Sequence, residues 1–334
     1  MPKPRKALIS LDDTAYYHCI SRCVRRAYLC GSDSLTGKSY EHRRQWILDK
    51  LKDLTGCFAI DCCGYALMSN HYHLVLCMDR DAANSWDQNE VIERWRRLFK
   101  GSLLADRYLA GDHLSHAERD ALGKLITKWR DRLSSISWFM RCLNESVARR
   151  ANQEDQCSGR FWEGRFKSQA LLDEKALAAC LAYVDLNPVR AKMAQTPEAS
   201  EYTSIAERIA WAKSSMEGHQ AQQTNEQPAH LQPFVGNPRH EMPKGLPFKL
   251  TDYLELVDWT GRIIREDIRG QIPQHLPPIL ERLQIDSQQW LYLTRHFESR
   301  FKGLVGAVYA LKQTCQNLGY RRSPGLSACQ QLLT

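Results

Sequence analysis

Apolar and polar positions along this chain switch repeatedly between a period of two and a helical period. Residues 16–23 are rich in strand formers, and residues 40–54 carry Trp46, Ile47, Leu51 and Leu54 at helical spacing. Residues 58–63 and 65–77 then read as the arms of a hairpin turned around Gly64. Residues 79–133 interrupt this order: they are polar, mostly helical in pattern and rich in Trp and Arg, the marks of an insertion. Residues 134–152 resume as a helix with Ile136, Met140, Leu143 and Val147 on one face, which leaves Arg141 and Arg149 off that stripe, toward DNA or toward water. A strand at 161–171 and a helix running from Asp173 to Pro188 complete the unit. Strands and helices alternating in this way predict an α+β, ferredoxin-like antiparallel sheet with helices on one face.

Beyond this unit the pattern changes. Residues 212–247 are dominated by Ser, Gln, Asn, His, Gly and Pro with little periodicity, and read as a linker. Residues 253–268, 277–302 and 304–317 are helical in pattern, so 248–334 is expected to be a helical C-terminal domain, separate from a first domain at 1–211. Two helices meeting at Asp286-Ser287, with a Ser cap starting the second, suit a helix-turn-helix unit or plain helical packing.

The chemistry begins at Ser69-Asn70-His71-Tyr72-His73-Leu74-Val75-Leu76. In a strand, His71 and His73 face the same way and Tyr72 the other. Two neutral imidazoles on one face can grip one divalent ion; alone, the same pair also fits two half-buried histidines satisfied by backbone groups. The second element is the helix of Tyr183 and Asn187, four residues apart and so on one face, beside an apolar stripe of Leu177, Leu181 and Val184. Asp173 fits its N-cap, and Ala176 and Ala179 leave space around the phenol. Two histidines, a carboxamide oxygen and a phenol together suit metal-assisted attack on a phosphodiester.

His71-Tyr72-His73 with Tyr183-Val-Asp-Leu-Asn187-Pro188-Val189-Arg190 resembles the HUH single-tyrosine transposases, and within them the REP-associated tyrosine transposases. The resemblance takes in Tyr17-His18-Cys19-Ile20-Ser21-Arg22 with Arg25 and Arg26, and Gly159-Arg160-Phe161-Trp162-Glu163-Gly164-Arg165-Phe166-Lys167-Ser168. It spans about residues 14–205 with one interruption, and Tyr72 stands where that family has an aliphatic residue. It implies the same HUH fold, with Tyr183 as nucleophile forming a 5′-phosphotyrosine on single-stranded or hairpin DNA, including palindromic repeats. It also implies Mg²⁺ or Mn²⁺ held by His71, His73 and Asn187, and a homodimer as the common assembly. The hard carboxamide oxygen favours those ions over zinc as well. Two other readings share these residues: a regulator that binds hairpins without cutting them, and a relaxase-type nickase.

Charge and composition add less. The 334 residues carry a net charge of +8, a mild basic bias compatible with nucleic acid. Local clusters matter more: Arg22, Arg25 and Arg26 at one turn, Arg94, Arg96, Arg97 and Lys100 at another, and Arg160, Arg165 and Lys167 around Phe161, Trp162 and Phe166. Basic groups interleaved with aromatics suit phosphates and unstacked bases. The 12 cysteines form no Cys-x-x-Cys pair, which argues against zinc and disulfide frameworks and for small core residues in a reducing cytoplasm. No signal-peptide core and no membrane-length apolar run is visible.

Overall fold

The computed structural model describes residues 13–24, 29–33, 36–217, 227–236, 244–266 and 276–333. In chain order the elements begin with β1 (Tyr16–Arg22), α1 (His42–Thr55), β2 (Ile60–Leu67) and β3 (His71–Met78). Five helices follow: α2 (Arg80–Ser85), α3 (Gln88–Arg96), α4 (Leu103–Leu109), α5 (His116–Leu133) and α6 (Ile136–Glu154). Next come β4 (Lys167–Leu171), α7 (Glu174–Asp185), α8 (Asn187–Arg190) and α9 (Ser204–Glu217). The last elements are α10 (Leu250–Glu266), α11 (Pro278–Leu283), α12 (Ser287–Arg300), β5 (Leu304–Val305), α13 (Val308–Asn317) and α14 (Leu326–Leu332). They gather into two compact units, one of Met1–Arg44, Cys62–Cys77 and Arg160–Thr334, the other of Gln45–Asp61 and Met78–Gly159.

The sheet has the order β2-β3-β1-β4-β5. β1 runs antiparallel to both β3 and β4, and β5 joins β4 in parallel. Its first four strands follow the ferredoxin-like βαββαβ order, so the α+β expectation holds. Residues opposed across a ladder share a face. Ile20 opposes His73, Arg22 opposes His71, and His18 opposes Val75 on one side and Gln169 on the other. His18, His71, His73, Lys167 and Gln169 therefore lie on one face, and Tyr17, Cys19, Tyr72 and Leu74 on the other. Both faces are buried: His18 and His73 on the first, and Tyr17, Tyr72 and Leu74 on the second, are all fully inaccessible. Tyr72 thus fills core volume as an aliphatic residue would.

Several expectations need correction. Gly64 lies inside β2, and the hairpin turns after Leu67 instead. A Cβ at Gly64 would sit 3.0 Å from Leu181 Cδ2 and 3.2 Å from Ser204 Oγ, so the missing side chain serves close approach of α7. The strand expected at 161–171 is regular only as β4; its N-terminal part contributes the single bridge Trp162 to Cys23. Leu304 and Val305 extend the sheet and do not begin a helix. The second helix of the 277–302 run is capped by Asp286, which accepts hydrogen bonds from the N–H groups of Gln288 and Gln289, and Ser287 is its first residue.

The largest correction concerns the C-terminal region, which belongs to the same compact unit as the sheet. Described parts of the expected linker are packed as well: Leu231, Phe234 and Leu246 are buried, and the Gln232 N–H donates to the Cys62 carbonyl at 2.7 Å. Asp173 shows why. It caps α7 as expected, its side chain accepting from the Ala176 N–H, while its second oxygen accepts from the Ala307 N–H beyond β5. Buried Asp185 likewise accepts from Ser204 Oγ at 2.6 Å, the Ile205 N–H at 3.1 Å and the Tyr253 hydroxyl of α10 at 2.5 Å. Polar composition at 212–247 concealed these anchors.

The other unit is helical, and most of α1 and all of α6 take part in it. Its core holds Val91, Ile92, Trp95, Leu122, Ile126, Trp129, Phe139, Leu143 and Val147. Local caps fix the helix starts: Asp87 for α3, Ser102 for α4, and for α5 a full capping box between Ser115 and Glu118. All 12 cysteines are free and ten are buried, in keeping with small core residues. Among the described residues no helix is long and apolar enough to cross a membrane.

Candidate active site

β1 and β3 are adjacent, β4 lies beyond β1, and α7 and α12 pack on each other. That places three histidines and a tyrosine together. The ring centroids of His71 and His73 are 4.9 Å apart, those of His18 and His73 5.1 Å, and Tyr183 lies 5.7 Å from His73 and 6.1 Å from His18. Phe297 of α12 closes the cluster, 5.8 Å from Tyr183 and 6.1 Å from His18.

The hydrogen bonds set the tautomers. Gln169 Nε2 donates to the Phe301 carbonyl at 2.6 Å, which turns its Oε1 toward His18 Nδ1 at 2.7 Å. An amide oxygen only accepts, so His18 Nδ1 carries the proton and Nε2 the lone pair. His18 Nε2 lies 2.9 Å from His73 Nδ1, which must then be the donor. The proton of His73 is accounted for, and its Nε2 is left as a bare lone pair. That Nε2 is buried with no hydrogen-bond partner among the described residues. His71 Nδ1 lies 2.6 Å from Asn70 Oδ1 and donates to it, which leaves its Nε2 a lone pair too.

Electrostatics keep the rings neutral. Burial lowers His18 to about 4, opposed by its bond to Gln169. Burial, then Arg22, lowers His71 to about 4, and burial followed by the two neighbouring histidines lowers His73 well below the ordinary range. Neutral imidazoles with free lone pairs are the form that binds metal. Among the described residues no group of three or more His, Cys, Asp or Glu side chains is set to hold a metal. A third protein donor would therefore be of another type, and a carboxamide qualifies. Asn187 is 7% exposed, and its Nδ2 has no hydrogen-bond partner among the described residues. The helix is interrupted at Leu186, where φ is −90° and ψ 5°, so Asn187 opens the short α8 and does not continue the helix of Tyr183 that the sequence pattern predicts. The bare lone pair of His73 Nε2 fits a metal ion, whereas Asn187 Nδ2 is an N–H donor, so Asn187 would ligate only through its carboxamide oxygen.

Tyr183 is 7% exposed, and its hydroxyl donates to Glu298 Oε2 of α12 at 3.4 Å. The Arg190 guanidinium lies 3.8 Å from its ring centroid and donates to the Thr294 carbonyl. Burial pushes the phenol up to about 12, with Arg190 pulling it down and Glu298 pushing it further up. Tyr17 and Tyr72, the other tyrosines near the motif, are fully buried on the opposite sheet face. Neither can serve as nucleophile in this geometry.

The basic residues divide. Arg22 stands opposite His71 and is exposed, and Lys167 pairs with Glu298 Oε1 at 3.4 Å, so both border the site. Arg160 and Arg165 are exposed. Phe161 is 2% exposed and cannot offer its ring to a base, which corrects its expected stacking role. Trp162 is half-buried against Tyr72, with ring centroids 5.7 Å apart. Arg25 and Arg26 lie outside the described residues. Sequence reading missed His18, Gln169, Arg190 and Glu298 as site residues. His18 and Arg190 sit inside the quoted motifs, whereas no sequence pattern marks Glu298.

No family model matches this chain, and no curated protein matches it. Among solved structures it is similar to a REP-associated tyrosine transposase bound to a REP hairpin, at 11% identity and a TM-score of 0.37, over 64% of this chain and 87% of that one. A likeness of that size carries no argument about the site.

Proposed function

We propose that this protein cuts and rejoins single-stranded or hairpin DNA through a tyrosine nucleophile, as a metal-dependent transposase-type transesterase. The observation that carries the reading is the juxtaposition of Tyr183 with His73, whose buried Nε2 holds an unused lone pair. The motif resemblance supports the same chemistry. A Mg²⁺ or Mn²⁺ ion held by His71, His73 and Asn187 would supply a Lewis acid to a non-bridging phosphate oxygen. Arg22 and Lys167 at the border bind the flanking phosphates. Tyr183 Oη bonds to phosphorus while the bond from phosphorus to the 3′ oxygen breaks, leaving a 5′-phosphotyrosine and a 3′-hydroxyl. Glu298 Oε2 takes the phenolic proton and returns it to the departing 3′ oxygen. Arg190, over the phenol ring, stabilises the phenolate as it forms. Attack by a second 3′-hydroxyl reverses the steps and joins strands without an external energy source.

The test is a labelled hairpin oligonucleotide with a single-stranded flank, incubated with Mg²⁺. Cleavage with a covalent protein–DNA band is expected, lost in EDTA and in the His73→Ala variant. Binding without cleavage would leave a hairpin-binding regulator, and cleavage without end-joining a nickase. Undiminished cleavage by a His71→Ala/His73→Ala double variant in EDTA would remove the metal from the reading.

A further inference from the structure

The helical unit carries a basic cleft of about 490 Å³ that the sheet-borne chemistry does not use. Lys50 of α1, Phe99 just after α3, and Arg141, Glu145, Arg149 and Arg150 of α6 line it. Four cations face one carboxylate. Glu145 receives both Arg141, at 3.4 Å, and Arg149, so the only acid in the lining orders two arginines and neutralises one charge. Lys50 has a distant partner, Asp53 at 3.9 Å, outside the lining.

Two of the arginines are also held by aromatic rings. Arg150 lies 4.1 Å from the Trp46 ring centroid and Arg141 5.0 Å from that of Trp138. A guanidinium stacked by its face keeps its N–H edge in its own plane, aimed past the ring. The neighbouring aromatics are rigidly packed: Phe99 stacks on Trp95 at 4.2 Å and meets Trp138 edge-on at 6.0 Å. Phe99 itself is half-buried, so part of its ring remains open to the cleft.

These features select the ligand. The cations come from two helices, Lys50 from α1 and Arg141, Arg149 and Arg150 from α6, with Arg141 and Arg149 drawn together on Glu145. Cations from two helices beside an aromatic ring fit a strand of repeated phosphates with unstacked bases. We propose that this cleft binds a single-stranded nucleic-acid segment, phosphates on Lys50, Arg141, Arg149 and Arg150 and a base against Phe99. The inference needs no cleavage chemistry, and its readout is binding alone.

The experiment uses the full-length chain and a fluorescent oligonucleotide without secondary structure, with the same sequence as duplex in a second arm and inorganic phosphate as competitor. An Arg141→Gln/Arg149→Gln/Arg150→Gln variant is compared with a charge-matched control, Arg119→Gln/Lys124→Gln/Lys128→Gln, changed at exposed positions of α5. Three lost phosphate contacts should flatten the plot of log K against log salt by about 2, at ~0.7 per single-strand contact. Between ~50 and ~200 mM salt that is about a 16-fold smaller loss of affinity than in the wild type. The control should keep the wild-type slope, Phe99→Leu should weaken single-strand binding more than duplex binding, and circular dichroism should be unchanged throughout. Equal slopes for wild type and cleft variant would overturn the proposal. So would equal losses in the cleft and control variants, a stronger effect on duplex, or full displacement by millimolar phosphate.

Discussion

Removing residues 212–334 should unfold the sheet unit. In the intact chain Trp290, Leu293, Phe297, Phe301, Leu304 and Val305 are each no more than 1% exposed. Burying one such side chain contributes ~1.5–3 kcal/mol, so the set contributes roughly 9–18 kcal/mol as an upper estimate. A whole domain is stable by about 5–15 kcal/mol. The deletion also removes Tyr253 from Asp185, the Phe301 carbonyl from Gln169, and β5 from the edge of β4. It uncovers α7, which is buried from Ala176 to Asp185 and has no polar face to show to water. The assay is hydrogen exchange of the α7 amides in a chain ending at residue 211, because the helical unit can hold its own circular dichroism signal. Slow exchange in the intact chain and near-complete exchange within seconds in the truncated one is the expected result. A truncated chain that protects α7 and unfolds cooperatively within about 1 kcal/mol of the intact protein would refute the reasoning.

Asp185→Asn removes an acceptor from a site where Ser204, Ile205 and Tyr253 all donate, and should cost about 1–3 kcal/mol by urea denaturation; a change under about 0.5 kcal/mol would contradict the anchor's role. Stability should also depend on pH through the histidines. His18 and His71 titrate near 6.5 when unfolded and near 4 when folded, so between those values the unfolded chain binds the extra protons. The metal-free protein should therefore lose stability as pH falls from about 6.5 toward about 4, and a flat denaturation midpoint over that window would count against buried neutral rings.

How much of this was legible follows from the range of each signal. His71 and His73 are two residues apart in a strand, so local periodicity was enough to pair them, whereas the continuous helical pattern did not show the break at Leu186 that sets Asn187 in a separate helix from Tyr183. The cap at Asp173 was local too. His18 needed the register of β1 against β3 and β4, which hydrophobic alternation does not specify. Glu298 lies 115 residues from the hydroxyl it receives, across a stretch whose polar composition read as a boundary. Gly64 was misplaced because a glycine that ends a strand and one that admits a helix look alike in sequence. Phe161 was assigned to DNA by its basic neighbours, although a phenylalanine is as readily a core residue.

The central claim is that Tyr183 itself becomes bonded to DNA. The measurement is peptide mapping by mass spectrometry of the covalent adduct trapped on a hairpin substrate with Mg²⁺, in the wild type and in Tyr183→Phe. The variant loses one oxygen from a ring packed among His18, His73 and Phe297, so the fold should hold while the adduct disappears. The account predicts a 5′-phosphonucleotide on the peptide containing Tyr183 and none in the variant. DNA attached to Tyr17, Tyr72 or any other residue, or an adduct formed by Tyr183→Phe at the wild-type rate, would contradict it.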